Sequence, residues 1–119
     1  MKQGRKTSGG RYIKPRKKKL TGRQNQSRIV KLDEKRTKLL KTRGGSKKLV
    51  SLTNDIANVI SKGKGKNVKI KNVLETPSNS FLARQNILLK DAIIETELGK
   101  ARITNRPSQE GNVQAVLID

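Results

Sequence analysis

Residues 67–75 read Asn67-Val68-Lys69-Ile70-Lys71-Asn72-Val73-Leu74-Glu75, and apolar and polar side chains alternate over the first half of this stretch. Because successive side chains of a strand point to opposite faces, the pattern predicts a β-strand with Val68 and Ile70 buried and Lys69 and Lys71 exposed. Other short apolar runs, separated by turns, occupy much of residues 49–118. Together they indicate a small antiparallel barrel or sandwich.

Further strands are predicted on both sides of this stretch. Residues 56–60 form a short apolar run, and residues 61–67, where Lys and Gly alternate, are predicted to be a turn. This turn is either a solvated hairpin loop or a loop that contacts phosphate. Strands are also expected at residues 87–89, 92–97, 102–104 and 113–118, with a two-residue hairpin connection within residues 98–101.

One helical turn is predicted at residues 80–86, after the break in pattern at Thr76-Pro77-Ser78-Asn79. Phe81 lies in this turn and is the only Phe of the chain. A large aromatic side chain is usually buried to a high degree. We therefore expect Phe81 to fill a space in the core.

Residues 35–53 are predicted to form a β-hairpin. Two short runs, 36–42 and 47–53, flank Arg43-Gly44-Gly45-Ser46, and a pair of glycines suits a tight turn that needs positive φ. A short helix capped by Asp33 and ending at Gly44 is the alternative, because Leu39 and Leu40 fit both periods. In the hairpin, cationic side chains would surround a turn whose small residues let a phosphate approach.

Positive charge is concentrated in the first 48 residues. They hold 19 lysines and arginines against two acidic residues, a net charge of +17, whereas the other 71 residues carry +3. Only 9 of the 37 hydrophobic residues precede residue 49. Charge of this density is costly to bury and repels itself unless an anion lies against it. The segment therefore predicts a polyanionic partner, with nucleic acid as the first candidate.

We divide the chain into a basic N-terminal arm, residues 1–34, and a compact body, residues 35–119, which begins with the predicted hairpin. The densest cationic run is Arg11-Tyr12-Ile13-Lys14-Pro15-Arg16-Lys17-Lys18-Lys19, and its proline excludes a simple helix. A nuclear-localisation signal or a polybasic membrane patch could also produce such a run. Neither requires the basic character to continue to Lys48, as it does.

Catalysis is not expected. The chain has no His and no Cys, which removes the commonest general base, metal ligand and thiol nucleophile. Glu95 and Glu97 would share one face of a strand, where two carboxylates could hold a catalytic metal. Surface ion pairs with Arg102 across a hairpin account better for these glutamates. We expect no enzyme activity, no cofactor and no small-molecule substrate, and no apolar run reaches the length of a membrane span.

The scarcity of aromatic residues bears on which nucleic acid is bound. Single-strand binders stack successive bases on aromatic side chains, but this chain has one Tyr, one Phe and no Trp. Tyr12 alone could stack one base. No zinc finger, basic zipper or helix-turn-helix pattern indicates sequence-specific binding to DNA. Binding to the backbone and shape of a folded RNA is the preferred interpretation, and an architectural, chromatin-like DNA-binding protein is the alternative.

Several blocks, spread in order across the chain, resemble one family, the small-subunit ribosomal protein numbered eight of the archaeal and eukaryotic type. The length is similar to that of the compact archaeal form. The blocks are Ser8-Gly9-Gly10-Arg11, Pro15-Arg16-Lys17-Lys18-Lys19, Thr42-Arg43-Gly44-Gly45-Ser46-Lys47-Lys48, Asp55-Ile56-Ala57-Asn58-Val59, Thr76-Pro77-Ser78-Asn79, Arg84-Gln85-Asn86-Ile87, Ala92-Ile93-Ile94-Glu95-Thr96-Glu97-Leu98-Gly99-Lys100-Ala101 and Val113-Gln114-Ala115-Val116-Leu117-Ile118.

The resemblance implies a structural component of the small ribosomal subunit that binds and stabilises folded rRNA. It also implies an all-β fold, in which a small antiparallel β-barrel body carries an extended, largely irregular basic arm. The expected partners are small-subunit rRNA and neighbouring ribosomal proteins, in cytoplasmic ribosomes, without homo-oligomers. The residues expected to contact rRNA are Arg5, Lys6, Arg11, Lys14, Arg16, Lys17, Lys18, Lys19, Arg23, Arg28, Arg43, Lys47 and Lys48, with Arg84 and Arg106 as secondary candidates on the body.

Overall fold

A computed structural model describes residues 4–13, 16–22 and 27–118, and strands are the predominant regular structure of the described chain. The strands are β1 (Lys31–Leu32), β2 (Arg36–Lys41), β3 (Lys47–Asn54), β4 (Ile56–Ser61), β5 (Lys64–Glu75), β6 (Ile93–Thr96), β7 (Gly99–Ile103) and β8 (Val113–Leu117); a short helix, α1 (Ser80–Arg84), follows β5, and a 3-10 helix spans Leu20–Gly22. β1, β3 and β2 form a three-stranded sheet in that order, and β4 to β8 form a closed barrel. The predicted all-β fold with a small barrel is confirmed.

The barrel is closed by its first and last strands, which run parallel. β4 pairs with β8 from Ala57↔Val113 to Ile60↔Val116, whereas the other neighbouring strands of the barrel are antiparallel. β5 is 12 residues long and its pairing with β6 shifts register twice. Irregularities of this kind bend a strand and increase its twist, which allows β5 to curve around the barrel.

The core lies inside the barrel and also includes residues from outside the barrel strands, such as Val30 and Leu88. Val68 and Ile70 are buried while Lys69 and Lys71 are exposed, so the alternation predicted for this strand is confirmed. Small side chains among the core residues suit the narrow interior of a barrel with few strands. The core comprises Val30, Ala57, Val59, Val68, Ile70, Val73, Leu88, Ala92, Ile94, Ala101, Ile103, Val113 and Ala115.

The predicted hairpin of β2 and β3 is confirmed, and the alternative helix is not formed. The strands pair antiparallel from Thr37↔Ser51 to Lys41↔Lys47. Gly44 and Gly45 in the connecting turn have φ of 89° and 87°, values that favour glycine. The hairpin pairs with β1 and is separate from the barrel strands.

Two predicted turns are shorter or lie elsewhere than expected. β4 and β5 pair as far as Ser61↔Lys64, so only Lys62 and Gly63 remain between them, both with positive φ. Two-residue connections of this kind match the twist of paired strands. Residues 64–66 therefore belong to β5, although Lys and Gly have a low propensity for strands. The second turn consists of Glu97 and Leu98, because Thr96 already pairs with Gly99.

The segment after α1 also differs from the prediction. Residues 87–89 do not form a strand, and Ile87 makes a single antiparallel bridge, to Lys31. Ile87 and Leu88 are nevertheless fully buried, so the apolar run indicated burial rather than pairing. Phe81 is 68% exposed, and its predicted role in the core is wrong. The inward side of α1 is occupied by Leu82, which is half-buried, and by Ala83, which packs against the core.

Candidate nucleic-acid interface

The loop of residues 104–112, between β7 and β8, holds the β2–β3 hairpin against the barrel. Ser51 donates its backbone N–H to the carbonyl oxygens of Pro107 at 3.2 Å and Glu110 at 3.0 Å. Gly111 lies so close to Leu49 that a Cβ at this glycine would meet Leu49 Cδ2 at 2.7 Å. Only glycine allows this approach without a shift of the leucine side chain. The loop therefore fixes the position of the hairpin and of its cations.

The tip of the hairpin carries unbalanced positive charge. Lys41 lies directly opposite Lys47 in the ladder, and like charges in that arrangement destabilise a sheet. Arg43 is exposed in the turn, which Thr42 closes with hydrogen bonds from its N–H and Oγ1 to the Ser46 carbonyl oxygen at 2.7 and 2.9 Å. Residues 35–54 hold seven lysines and arginines and no acidic residue. This tip is suited to bind an anion.

The predicted contacts of the hairpin occupy different environments. Arg43 and Lys47 are exposed, whereas Lys48 is half-buried and donates from Nζ to Gln109 Oε1 in the 104–112 loop. Lys41 was not among the predicted contacts, although it is exposed and faces Lys47. The predicted four-residue turn would have placed Thr42 opposite Lys47, whereas the observed register places Lys41 there.

The first described residues fold back on themselves. Arg5 and Arg11 form an antiparallel bridge, and Lys6 donates its N–H to the Gly10 carbonyl oxygen at 2.8 Å. The Lys6 Nζ lies 5.7 Å from the centroid of the Tyr12 ring, within the range of a cation–π contact. The bridge thus gathers three predicted contacts beside the only Tyr. No helix or strand period in the sequence indicated this small loop.

The dense cationic run is exposed where it is described. Exposed side chains are found at Arg16, Lys17, Lys18 and Lys19. Together with residues 21 and 22 they line a depression with a volume of about 270 Å³. The 3-10 helix after the run holds the backbone through a hydrogen bond from the Gly22 N–H to the Lys19 carbonyl oxygen at 3.0 Å. The predicted contacts Lys14 and Arg23 lie outside the described residues.

Residues 28–32 join the basic segment to the body. Arg28 is half-buried and donates from Nη1 to the Ser108 carbonyl oxygen at 2.9 Å. Val30 is fully buried, and its carbonyl oxygen accepts the Leu88 N–H at 2.8 Å. Arg28, one of the predicted contacts, therefore uses one donor within the protein. A guanidinium has five N–H donors, so others remain for a phosphate.

The two secondary candidates for rRNA contact, Arg84 and Arg106, are both exposed. Arg84 ends α1, and it lines a shallow depression with Asn72 and Asn86. Arg106 lies in the 104–112 loop, where its carbonyl oxygen accepts the N–H groups of Gln109 and Glu110 at 3.0 and 3.1 Å. The backbone around Arg106 is thus held while its side chain stays available to a ligand.

The acidic residues do not assemble into a metal site in the part of the chain that the structure describes. No group of three or more His, Cys, Asp or Glu side chains there could hold a metal ion. Glu95 lies opposite Lys100, and Arg102 lies opposite Ile93, so the predicted pairing of the two glutamates with Arg102 is wrong. Glu97 belongs to the turn rather than to β6. Within the described ranges, no helix is both long and apolar enough to span a bilayer.

Known proteins similar to this chain agree in name and extent. A small ribosomal subunit protein eS8 of Methanocorpusculum labreanum is 43% identical over 122 residues, covering 99% of this chain and 96% of the relative. The protein of the same name from Haloarcula marismortui is 38% identical over 115 residues, covering 97% and 94%. That of Methanococcus aeolicus is 38% identical over 120 residues, covering 97% and 92%.

The similarity includes the basic segment as well as the barrel, since the family model of ribosomal protein S8e matches residues 1–118. The architectural DNA-binding alternative finds no support in these relatives. A family match over this length, with relatives of the same name covered almost end to end, identifies the chain as a member of the ribosomal protein S8e family.

Proposed function

We propose that this chain is a structural constituent of the small ribosomal subunit, where it binds and stabilises folded rRNA through contacts to phosphate. Relatives along nearly the whole chain carry the name of a small-subunit protein. The observation that carries the proposal is the tip of the β2–β3 hairpin, where Lys41 faces Lys47 and no acidic residue occurs in residues 35–54. A phosphate between such cations would attract both of them and offset their mutual repulsion.

The proposed mechanism is electrostatic. Cations that lie between packed rRNA helices reduce the repulsion of neighbouring phosphates, and each contact releases condensed counterions. Arginines bind two phosphate oxygens through their planar fork, and lysines act as mobile point charges. The proposed contacts are Arg5, Lys6, Arg11, Lys14, Arg16, Lys17, Lys18, Lys19, Arg23, Arg28, Arg43, Lys47, Lys48, Arg84 and Arg106, to which the hairpin geometry adds Lys41.

The division into an arm, residues 1–34, and a body, residues 35–119, is part of this proposal. The barrel supplies a rigid base, and the loop 104–112 and Arg28 hold the two basic regions to it. The arm's last residues, with Val30 in the core, pack with the body. Further elements of the proposal are neighbouring ribosomal proteins as partners, a place in cytoplasmic ribosomes, and a role in binding rather than catalysis.

Sedimentation of a native lysate on sucrose gradients at low and high salt tests this function. We expect the chain to migrate with the small subunit at both salt concentrations, because many phosphate contacts act together within an assembled particle. A protein that remains at the top of the gradient at low salt, or that follows chromosomal DNA, would contradict the proposal. Nuclease digestion of the rRNA before sedimentation is the control and is expected to release the chain.

A further inference from the structure

Helix α1 presents an aromatic ring to solvent on a fixed backbone. Phe81 is 68% exposed, although a buried position would be normal for the only Phe of a small domain. Asn79 caps the helix, and its Oδ1 accepts the Phe81 N–H at 3.1 Å. Thr76, which is buried, donates from Oγ1 to the Asn79 carbonyl oxygen. The cap holds the residue that carries the ring, while the ring makes little contribution to the core.

The outward face of α1 combines this ring with a cation and an amide. Phe81, Arg84 and Gln85 are all exposed, and residues three and four apart lie on the same side of a helical turn. The depression beside Arg84 is lined by Asn72, Asn86 and small or apolar residues, with no acidic side chain. Glu75 instead lines a separate depression with residues 76–80. The face therefore offers an apolar plane, one positive charge and several amides.

The residues that follow α1 contact the last part of the basic arm. Leu32 donates its N–H to the Asn86 carbonyl oxygen at 2.9 Å, and Ile87 bridges with Lys31. The side chain of Lys31 is exposed at this junction. A polynucleotide that follows the cations of the arm towards the body would thus reach the outward face of α1.

We propose that Phe81 and Arg84 form a stacking site for one unpaired nucleobase of the rRNA. The base stacks on the Phe81 ring, and Arg84 binds a phosphate of the same strand. Sequence-specific and loop contacts to RNA commonly use unstacked bases on aromatic side chains, and every base offers a flat face for this. The inference rests on the proposed function, because it requires rRNA as the partner. Exposed Arg84 and Lys31, together with the lack of an acidic side chain in the depression beside Arg84, favour a polyanion over a protein as the occupant of this face.

Tryptophan fluorescence offers a direct test, because the chain has no Trp. The variant Phe81→Trp would carry a single indole at the proposed site, and Leu98→Trp is the matched control. Leu98 is also exposed, but it lies in the β6–β7 turn, at the end of β6 remote from residue 75. On titration with small-subunit rRNA transcribed from the source organism's gene, we expect the emission of the Phe81→Trp variant to be quenched and that of the Leu98→Trp variant to change little.

Affinity measurements separate stacking from simple apolar contact. Stacking of one base is worth about 1–3 kcal/mol on alanine substitution, so Phe81→Ala is expected to weaken rRNA binding by about 5- to 150-fold. Phe81→Leu should lose most of the same affinity, and Phe81→Trp should retain it. Circular dichroism and thermal unfolding check that each variant is folded, which we expect because the ring is exposed.

Three results would overturn the stacking site. Unquenched emission of the Phe81→Trp variant with rRNA would do so, as would full affinity of Phe81→Leu. The third result is an indole at position 81 that stays exposed with rRNA alone and becomes buried only in particles that also contain other ribosomal proteins. A protein, rather than a base, would then cover this residue.

The double variant Arg43→Ala, Lys47→Ala distinguishes the stacking site from the proposed function. If it loses affinity for rRNA while Phe81→Ala does not, only the stacking site is wrong. If neither variant changes affinity, the proposed rRNA function fails as well.

Discussion

Arg28 Nη1 lies 2.9 Å from the carbonyl oxygen of Ser108, a residue 80 positions further along the chain. This hydrogen bond joins the basic segment to the loop that also holds the β2–β3 hairpin. A cation that composition alone assigns to RNA binding is thus also part of the protein's internal structure. The loop 104–112 thus connects the two basic regions in addition to the direct pairing of β1, in the arm, with β3 of the hairpin.

Replacement of Arg28 by Ala is expected to lower the free energy of unfolding by about 1–2 kcal/mol, because a half-buried carbonyl loses a charged donor. Urea denaturation followed by circular dichroism measures the change. Arg16→Ala is the matched control, since Arg16 is exposed, and its effect should stay within about 0.5 kcal/mol. Equal stability of the two variants would show that the Arg28 hydrogen bond contributes nothing.

Replacement of Lys41 by Ala should change stability and binding in opposite directions. Loss of the repulsion from Lys47 is expected to raise the free energy of unfolding by about 0.2–1 kcal/mol. Loss of one phosphate contact should weaken rRNA binding and reduce the slope of log affinity against log salt by about 0.7–0.9. Filter-binding titrations over a range of salt concentrations measure this slope.

Lys69→Ala is the control for the Lys41 variant. Lys69 is exposed on the barrel opposite Ile56 and faces no cation in the ladder. The Lys69→Ala substitution is expected to leave both the free energy of unfolding and the salt slope of rRNA binding nearly unchanged. If Lys41→Ala were destabilising, the Lys41 and Lys47 side chains would not repel each other in the free protein.

Substitution of Gly111 by Ala tests the contact between the 104–112 loop and the hairpin. The new methyl group would lie 2.7 Å from Leu49 Cδ2 and must push this side chain away from its rotamer. We expect a loss of about 0.5–1.5 kcal/mol in unfolding free energy. In the double variant Gly111→Ala, Leu49→Ala the clash is absent, so a double-mutant cycle should give a favourable coupling energy. Purely additive effects would argue against the close approach.

Adjacent residues 29 and 30 offer a comparison at the root of the arm. Val30 is fully buried, whereas Ile29 is 52% exposed. Val30→Ala should cost about 2 kcal/mol from lost apolar burial and the cavity left behind. Ile29→Ala should cost less than about 0.5 kcal/mol. Thermal unfolding of the two variants measures the difference, and similar losses would contradict the packing of residue 30 in the core.

The sequence predicted well those elements in which the type of each residue was enough to indicate whether it is buried, exposed or in a turn. Val68 and Ile70 differ from Lys69 and Lys71 in polarity, so local alternation was enough to orient β5. The glycines at 44 and 45 likewise required a turn that only a few residue types can form. For such segments local propensity and tertiary structure agree.

The errors occurred where an environment depends on distant parts of the chain. Ile87 and Leu88 are buried because Val30 and Lys31 lie against them, more than 50 residues earlier in the sequence. Phe81 is exposed because Leu82 and Ala83 already occupy the inward side of a very short helix. At the candidate interface, composition identified the cations, but only the register of β2 and β3 revealed that Lys41 faces Lys47.

The parallel pairing of β4 with β8 has a consequence for the order in which the molecule forms. The barrel closes only when Ala57 pairs with Val113, 56 residues later in the chain. Contacts between residues so far apart in sequence cost loop-closure entropy, which must be offset before the contacts stabilise the fold. The β2–β3 hairpin needs only a turn of five residues between Lys41 and Lys47, so we expect it to form earlier during folding. Its cations would then be arranged while the barrel is still open, and an RNA bound at this stage would act as a template on which the late-closing body completes its fold.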